Sequence, residues 1–310
     1  MAAITSIKLN TGRSIPAIGL GAAASEFTPE GLADTERWFL SAIKAGYRHF
    51  DTAYVYKTEG YLGAAIRASG VPREEFFVTT KLPWFHSQDV ARSFDDSLRN
   101  LGLDYVDLYL IHTPQIGEYA GGYDGPTSLA EMFGELKILE TPTFNDTWAE
   151  LERIHESGRA RAIGVSNFSF KTLEQLSTTA KIVPAVNQVE LHPYLAQTDL
   201  LEYCRKKGIV VAAYTPSGRD KVRSDPTLVA LGAKYNVTST QISLAWHVAR
   251  GVVPLPSSTK EERQKQNITL PTLSPEDVES VTALDRYERI FSKIGPDGKL
   301  FGWTAEQLGW

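Results

Sequence analysis

Four side chains with complementary acid–base chemistry stand at or just beyond the ends of short apolar runs. Asp51 closes "YRHFD", Tyr56 follows it after a short turn, Lys81 closes "FFVTTK" and His112 closes "YVDLYLIH". A free phenol, with a pKa of about 10, is a reluctant proton donor near neutrality. A lysine ammonium beside it favours the phenolate, and a carboxylate holding the lysine keeps that ammonium charged and oriented. Tyr56 then reads as a general acid, Lys81 as its tuner and Asp51 as the anchor. A neutral His112 can donate to the same substrate oxygen and polarise a carbonyl. With no protein nucleophile evident, a hydride from a cofactor is the natural reactant at the carbonyl carbon. Each residue also has a structural reading: a buried ion pair for Asp51 and Lys81, costly to desolvate, a satisfied core histidine, and a half-exposed loop tyrosine.

The elements that must position these groups alternate along the chain. Apolar, β-branched runs lie at 17–21, 47–51, 76–81, 105–112, 160–166, 184–190, 209–214 and 252–256, separated by helix-periodic segments. Gly46 and Gly102 are expected C-caps of two of these. About eight β/α alternations without a Pro/Gly/Ser linker point to one α/β domain over residues 1–310, a (β/α)8 TIM barrel. "SIKLNTGRSIPAIGLG" reads as an N-terminal β-hairpin turning at Asn10, Thr11 and Gly12. The long βα loop at 113–145 and the C-terminal tail at 286–310, expected over the barrel mouth, exceed ordinary barrel connections. Reactive groups of a barrel gather at the C-terminal strand ends. Those ends carry Asp51, Lys81, His112, Ser166 with Asn167, Gln188 and Tyr214, and six polar ends meeting at one mouth argue against coincidence.

Composition narrows the partners. The chain has 310 residues, 42% hydrophobic and 22% charged, with a net charge of -5. That balance offers no basic footprint for nucleic acid or anionic lipid. The single cysteine, Cys204, excludes an internal disulfide framework, and no run suits a membrane span or signal peptide, so a cytoplasmic protein is expected. The histidines lack metal-ligand spacing, so no metal is expected.

Two segments bear on phosphate binding. "GLGAAA" at 19–24 imitates a dinucleotide fingerprint, but Pro29 and Gly31 stand where that motif requires a helix, and it is rejected. "SSTKEERQKQN" at 257–267 is the better candidate: Thr259 and Glu262 read as a capping box opening a helix whose N-terminus favours anions, with Arg263 and Asn267 on one face.

"GYRHFDTAYVYKTEGYLG", "ARAIGVSNF" and "VVPLPSSTKEERQKQN" occur in the order and spacing of known signatures, and over essentially its whole length the sequence resembles the aldo-keto reductase family. The resemblance implies an NADPH-dependent carbonyl reductase with Asp51, Tyr56, Lys81 and His112 as a catalytic tetrad. It further implies that Ser166, Asn167 and Gln188 bind the nicotinamide carboxamide and that Tyr214 stacks on its ring. Ser258 and Arg263 are expected at the 2'-phosphate of NADP and Asn267 at adenine. Ser257 occupies a cofactor position where the family usually has lysine. NADPH is therefore expected to be preferred, with some use of NADH.

Trp84, Phe301 and Trp303 are candidate walls of an apolar pocket for a small-molecule carbonyl substrate. Thr113 stands where the family often has tryptophan after the histidine, and Ala22 and Ala23 replace another, so the pocket is expected to be wider or more polar. A monomer or weak dimer is expected. The competing readings are a non-catalytic cofactor-sensing or regulatory barrel, and a sugar-phosphate isomerase or lyase, which would need a carboxylate or lysine base.

Overall fold

The computed structural model describes residues 5–23, 29–126, 131 and 137–310. A hairpin of Ser6–Lys8 (β1) and Ser14–Pro16 (β2) precedes the main sheet, pairing antiparallel with Ile7 opposite Ile15. The main sheet contains Leu20–Gly21 (β3), His49–Asp51 (β4), Phe77–Leu82 (β5) and Leu108–Ile111 (β6). Gly117–Glu118 (β7) and Lys137–Ile138 (β8) form a separate ribbon in the long loop. The sheet then continues with Ile163–Ser166 (β9), Val186–Glu190 (β10), Val210–Tyr214 (β11) and Val253–Pro254 (β12). Lys299–Leu300 (β13) and Trp303–Thr304 (β14) make a small ribbon in the tail.

The eight strands of the main sheet are parallel and lie in sequence order from β3 to β12, passing over the β7–β8 ribbon. Backbone hydrogen bonds from Gly19 N to Pro254 O (3.1 Å) and from Gly21 N to Pro256 O (3.0 Å) join its first and last strands, closing a (β/α)8 barrel. The same closure explains the glycines of "GLGAAA". A Cβ on Gly19 would lie 2.6 Å from the His49 ring, and one on Gly21 2.9 Å from the Leu255 carbonyl. Only glycine lets the two edges approach so closely.

Strand alternation divides the core into two shells. Phe77, Leu108, Leu110, Ala162, Val186, Ala212, Val253 and Leu255 pack together inside the barrel, with Leu9 and Ile15 of the hairpin plugging one end. Phe50, Val78, Tyr109, Ile163, Val165, Val211 and Ala213 face the helices. Full burial of each large aliphatic side chain contributes about 1.5–3 kcal/mol. The helix Thr35–Ala45 buries Trp38, Phe39, Ala42 and Ile43 and stops at Gly46 (φ 113°); Val90–Leu101 stops at Gly102 (φ 62°). Both glycines provide the left-handed caps expected from the sequence.

All eight expected strands are present, each starting one to three residues later than expected, and β5 runs one residue further, to Leu82. Two residues beyond the interior positions Thr79, Leu110, Gly164, Val186 and Ala212 come Lys81, His112, Ser166, Gln188 and Tyr214. The period-two alternation that packs the interior thus carries a polar residue to the mouth on strand after strand. No helix among the described residues is long and apolar enough to cross a membrane.

Candidate active site

The mouth is organised around a buried ion pair. Lys81, fully buried, donates from Nζ to Asp51 Oδ1 (2.5 Å) and to the Thr52 carbonyl (2.8 Å). The second Asp51 oxygen accepts from Gln188 Nε2 at 2.7 Å. Burial pushes the Asp51 carboxyl up and the Lys81 amine down, while each partner's charge works against that drift. A pair this dry survives because both carboxylate oxygens and two ammonium protons are satisfied.

Tyr56 ends a short 3-10 turn, Tyr54–Tyr56, and the left-handed Lys57 (φ 56°) that follows redirects the chain into the helix Glu59–Ser69. Its hydroxyl lies 3.3 Å from His112 Nε2 with the rings edge to face, and Lys81 Nζ lies 5.0 Å from its ring centroid. The structure corrects one expectation. Burial first, and the Asp51 charge second, hold the Tyr56 phenol above its ordinary pKa instead of letting Lys81 lower it. At rest the phenol keeps its proton. Burial, reinforced by the Lys81 charge, keeps His112 neutral. Its Nδ1 is buried without a hydrogen-bond partner among the described residues.

A chain of hydrogen bonds runs from His112 to the tail. Asn167 Nδ2 donates to the His112 carbonyl (2.9 Å) and to Ser166 Oγ (3.2 Å), and Asn167 Oδ1 accepts from the Tyr214 hydroxyl (2.7 Å). Ser166 Oγ donates to the Gln188 carbonyl at 2.8 Å. The Tyr214 hydroxyl also meets Ser292 Oγ at 2.6 Å. Glu190, at the end of β10, accepts from the backbone N–H groups of Ile290 (2.5 Å), Phe291 (2.8 Å) and Ser292 (2.8 Å), and His192 Nε2 lies 3.1 Å away. Burial opposes its ionisation, yet these donors outweigh burial and bring Glu190 to about 2.

One cavity of about 650 Å³ spans the mouth and includes Asp51, Tyr56, His112, Ser166, Asn167, Gln188 and Tyr214. It continues to Ser257, Ser258, Arg263 and Asn267, and Trp84, Thr113 and Phe301 line it too, with Ala22 and Ala23 on its wall. Trp84 and Phe301 pack with ring centroids 5.4 Å apart. Lys81 sits behind this surface. Trp303 is not on the cavity wall: it belongs to β14 and packs against the helix-side core, while Leu308 and Trp310 take the wall position.

The expected Thr259–Glu262 capping box does not form. The helix is Glu261–Ile268, and its N-cap, Lys260, makes no side-chain cap. Ser258 Oγ accepts from Lys260 N at 3.2 Å instead, a local turn that delays the helix. Sequence reasoning also missed Gln115, Arg219, Ser292, Leu300 and Trp310 as cavity residues. The tail aromatics signalled the region; nothing local in the sequence marked Gln115 or Ser292.

A parallel barrel with a lysine–aspartate pair, a phenol and a neutral imidazole at its mouth defines a class able to protonate a carbonyl oxygen. The family model "Aldo/keto reductase family" matches residues 17–286. The chain is 41% identical over 290 residues to a glycerol 2-dehydrogenase (NADP(+)) of Saccharomyces cerevisiae, covering 90% of each chain. It is 37% identical to an aldehyde reductase of the same yeast, again over 90% of each. A glyoxal reductase of Bacillus subtilis is 37% identical over 300 residues, 95% of this chain and 97% of the relative. The protein belongs to the aldo/keto reductase family.

Proposed function

We propose that the protein reduces aldehydes or ketones to alcohols with NADPH. The observation that carries this reading is the Tyr56 hydroxyl 3.3 Å from His112 Nε2, beside the Lys81–Asp51 pair, in the cavity that Gln188 and Arg263 also line. Relatives named glycerol 2-dehydrogenase (NADP(+)), aldehyde reductase and glyoxal reductase support carbonyl chemistry and NADP as the cofactor.

The donor set of the cavity fits such a cofactor. At one end Gln188 spends its Nε2 on Asp51 and keeps Oε1 to accept from a carboxamide N–H. At the other, Arg263 has no carboxylate partner among the described residues and offers a forked donor suited to a phosphate, with Ser257 and Ser258 beside it and Asn267 for adenine. Ser166 and Asn167 would frame the nicotinamide, and the Tyr214 ring would form its platform. When bound, the nicotinamide supplies the hydride.

The chain's own residues do the rest. A substrate carbonyl oxygen seated between Tyr56 and His112 accepts hydrogen bonds from the phenol and from Nε2 of the neutral imidazole, which fixes its orientation and polarises it. As negative charge develops on that oxygen, Tyr56 delivers its proton, and the Lys81 ammonium stabilises the phenolate left behind. The substrate is held by Trp84, Phe301 and Trp310, with Thr113 and Gln115 making one wall polar.

The test follows NADPH consumption optically with a panel of aldehydes, ketones and sugars, with Tyr56→Phe alongside. Carbonyl-dependent consumption by the wild type alone supports the reading. No consumption with any carbonyl, or undiminished turnover by the variant, defeats it.

A further inference from the structure

The turn that carries Tyr56 is short, and its own hydrogen bonds are few: Tyr56 N to the Ala53 carbonyl (3.0 Å) and Lys57 N to the Tyr54 carbonyl (3.3 Å). Behind it, Thr52 Oγ1 meets Thr58 Oγ1 at 2.9 Å. On its outer side it rests on groups from elsewhere. Tyr54, buried, places its ring edge to face against His86 with centroids 4.7 Å apart. His86 is also stacked by Tyr123 of the long loop, 3.9 Å away and tilted by only 14°, and Tyr123 meets the Tyr54 ring itself edge to face at 6.4 Å. The Tyr123 ring is covered in turn by the Arg92 guanidinium at 3.7 Å. The result is a bent column, Arg92–Tyr123–His86–Tyr54, running from the helix Val90–Leu101 to the turn of the proton donor.

Hydrogen bonds fix the register of that column. His86 Nε2 and the Tyr123 carbonyl are 2.7 Å apart, so Nε2 carries the proton and donates. Nδ1 then accepts from Ser93 Oγ at 2.7 Å. The Tyr123 hydroxyl donates to Asp96 at 2.9 Å. A second tie bypasses the column: Lys57, the residue after Tyr56, donates from Nζ to the Asp124 carbonyl and lies 4.7 Å over the Tyr54 ring. Gly125, with φ +76°, lets the loop close down on Phe85, where a Cβ would meet the ring at 2.3 Å.

We propose that the segment around Tyr123 and Asp124 braces the Tyr54–Tyr56 turn, so that Tyr123, His86 and Lys57 are positioning residues for the proton donor. This rests on the reductase reading above for its effect on catalysis. His86 is enclosed by the rings of Tyr54, Phe85 and Tyr123 and has both nitrogens engaged, so removing Tyr123 strips it of its stack and opens the space against which Tyr54 leans. The rest of the turn packs inward, with Ala53 and Val55 against Trp84 and with Tyr56 and Phe85 beside them. The long loop therefore sets the position of the acid. Displacing an acid by an ångström slows proton delivery without touching the distant cofactor groups, since Arg263 and Gln188 lie on other elements.

Two readouts test the brace in the whole protein. In kinetics, Tyr123→Ala should lower kcat on the order of ten- to a hundredfold while NADPH affinity, read by fluorescence titration, stays unchanged. Tyr123→Phe, which keeps the stack, should restore wild-type turnover. In hydrogen–deuterium exchange, the amides of residues 54–57 should exchange faster in Tyr123→Ala but not in Tyr123→Phe. If Tyr123→Ala does not fold, Lys57→Met cuts the second tie and should show both effects in weaker form. Wild-type exchange at 54–57 in the alanine variant, or in Lys57→Met where that variant is used, overturns the brace; so does a phenylalanine variant as impaired as alanine. A wild type inactive on every carbonyl defeats the reductase reading instead, and the exchange experiment still decides the brace.

Discussion

Gln188 donates from Nε2 to Asp51 Oδ2 at 2.7 Å across the mouth of the barrel, while Lys81 holds Oδ1 of the same carboxylate. Asp51 therefore has both oxygens engaged by the site itself. It serves as a fixed negative charge that ties the amide on β10 to the ammonium on β5, linking the proposed cofactor side of the site to the proton-donor side.

Tyr56→Phe removes the proposed proton donor and leaves a ring of nearly the same shape. Turnover is expected to fall by about 10²–10⁴-fold, with NADPH binding and thermal stability near wild type. Steady-state kinetics beside a fluorescence titration checks both halves.

Asp51→Ala leaves a buried ammonium without its counter-charge and is expected to destabilise the fold by about 3–5 kcal/mol. Asp51→Ala combined with Lys81→Met removes both charges and should regain much of that loss, although it stays inactive. Urea unfolding of the two variants measures the difference; a double variant less stable than the single one contradicts the account of the pair.

Acid should weaken the hold of Glu190 on the tail. The folded pKa of Glu190, about 2, lies below the ordinary glutamate value of 4.5. The native state thus binds fewer protons than the unfolded state between those values. The associated stability, about 3 kcal/mol, is complete above pH 4.5 and is lost as pH falls through about 2. In Glu190→Gln the slope of unfolding free energy against pH should flatten in that window.

Cofactor choice should turn on Arg263. Replacing it with leucine is expected to weaken NADPH by about 1.5–3 kcal/mol, on the order of ten- to a hundredfold in Kd, with little change for NADH. Ser257→Lys adds a cation to the same cavity and should tighten NADPH selectively. Equal effects on the two cofactors would show that neither position reads the 2'-phosphate.

Much of the barrel and its mouth is legible in the sequence because the relevant signals are local. Alternation along each run gives the strands, and residues such as Lys81 and His112, in register with the interior, must emerge at the mouth. The tail was harder to read. Ser292 reaches Tyr214 across 78 residues and meets Glu190 across 102, and no pattern near either end announces the contact. Trp303 and Trp310 are both tail tryptophans, and only the turn at Phe301 and Gly302 decides which one faces the cavity. The Thr259 cap fails for a related reason, since Ser258 captures the Lys260 N–H and starts the helix later. The phenol's pKa depends on burial first and on the Asp51 charge second, neither of which residue type reveals.

The Glu190 clamp also bears on the order of assembly. Its carboxylate is fully buried, and three of its donors are backbone N–H groups from residues 290–292. While the chain is being made, every barrel strand emerges before those donors exist. Until they dock, Glu190 needs water, and the end of β10 beside Gln188 stays open to solvent. A nascent barrel can therefore close its sheet before it can finish its mouth.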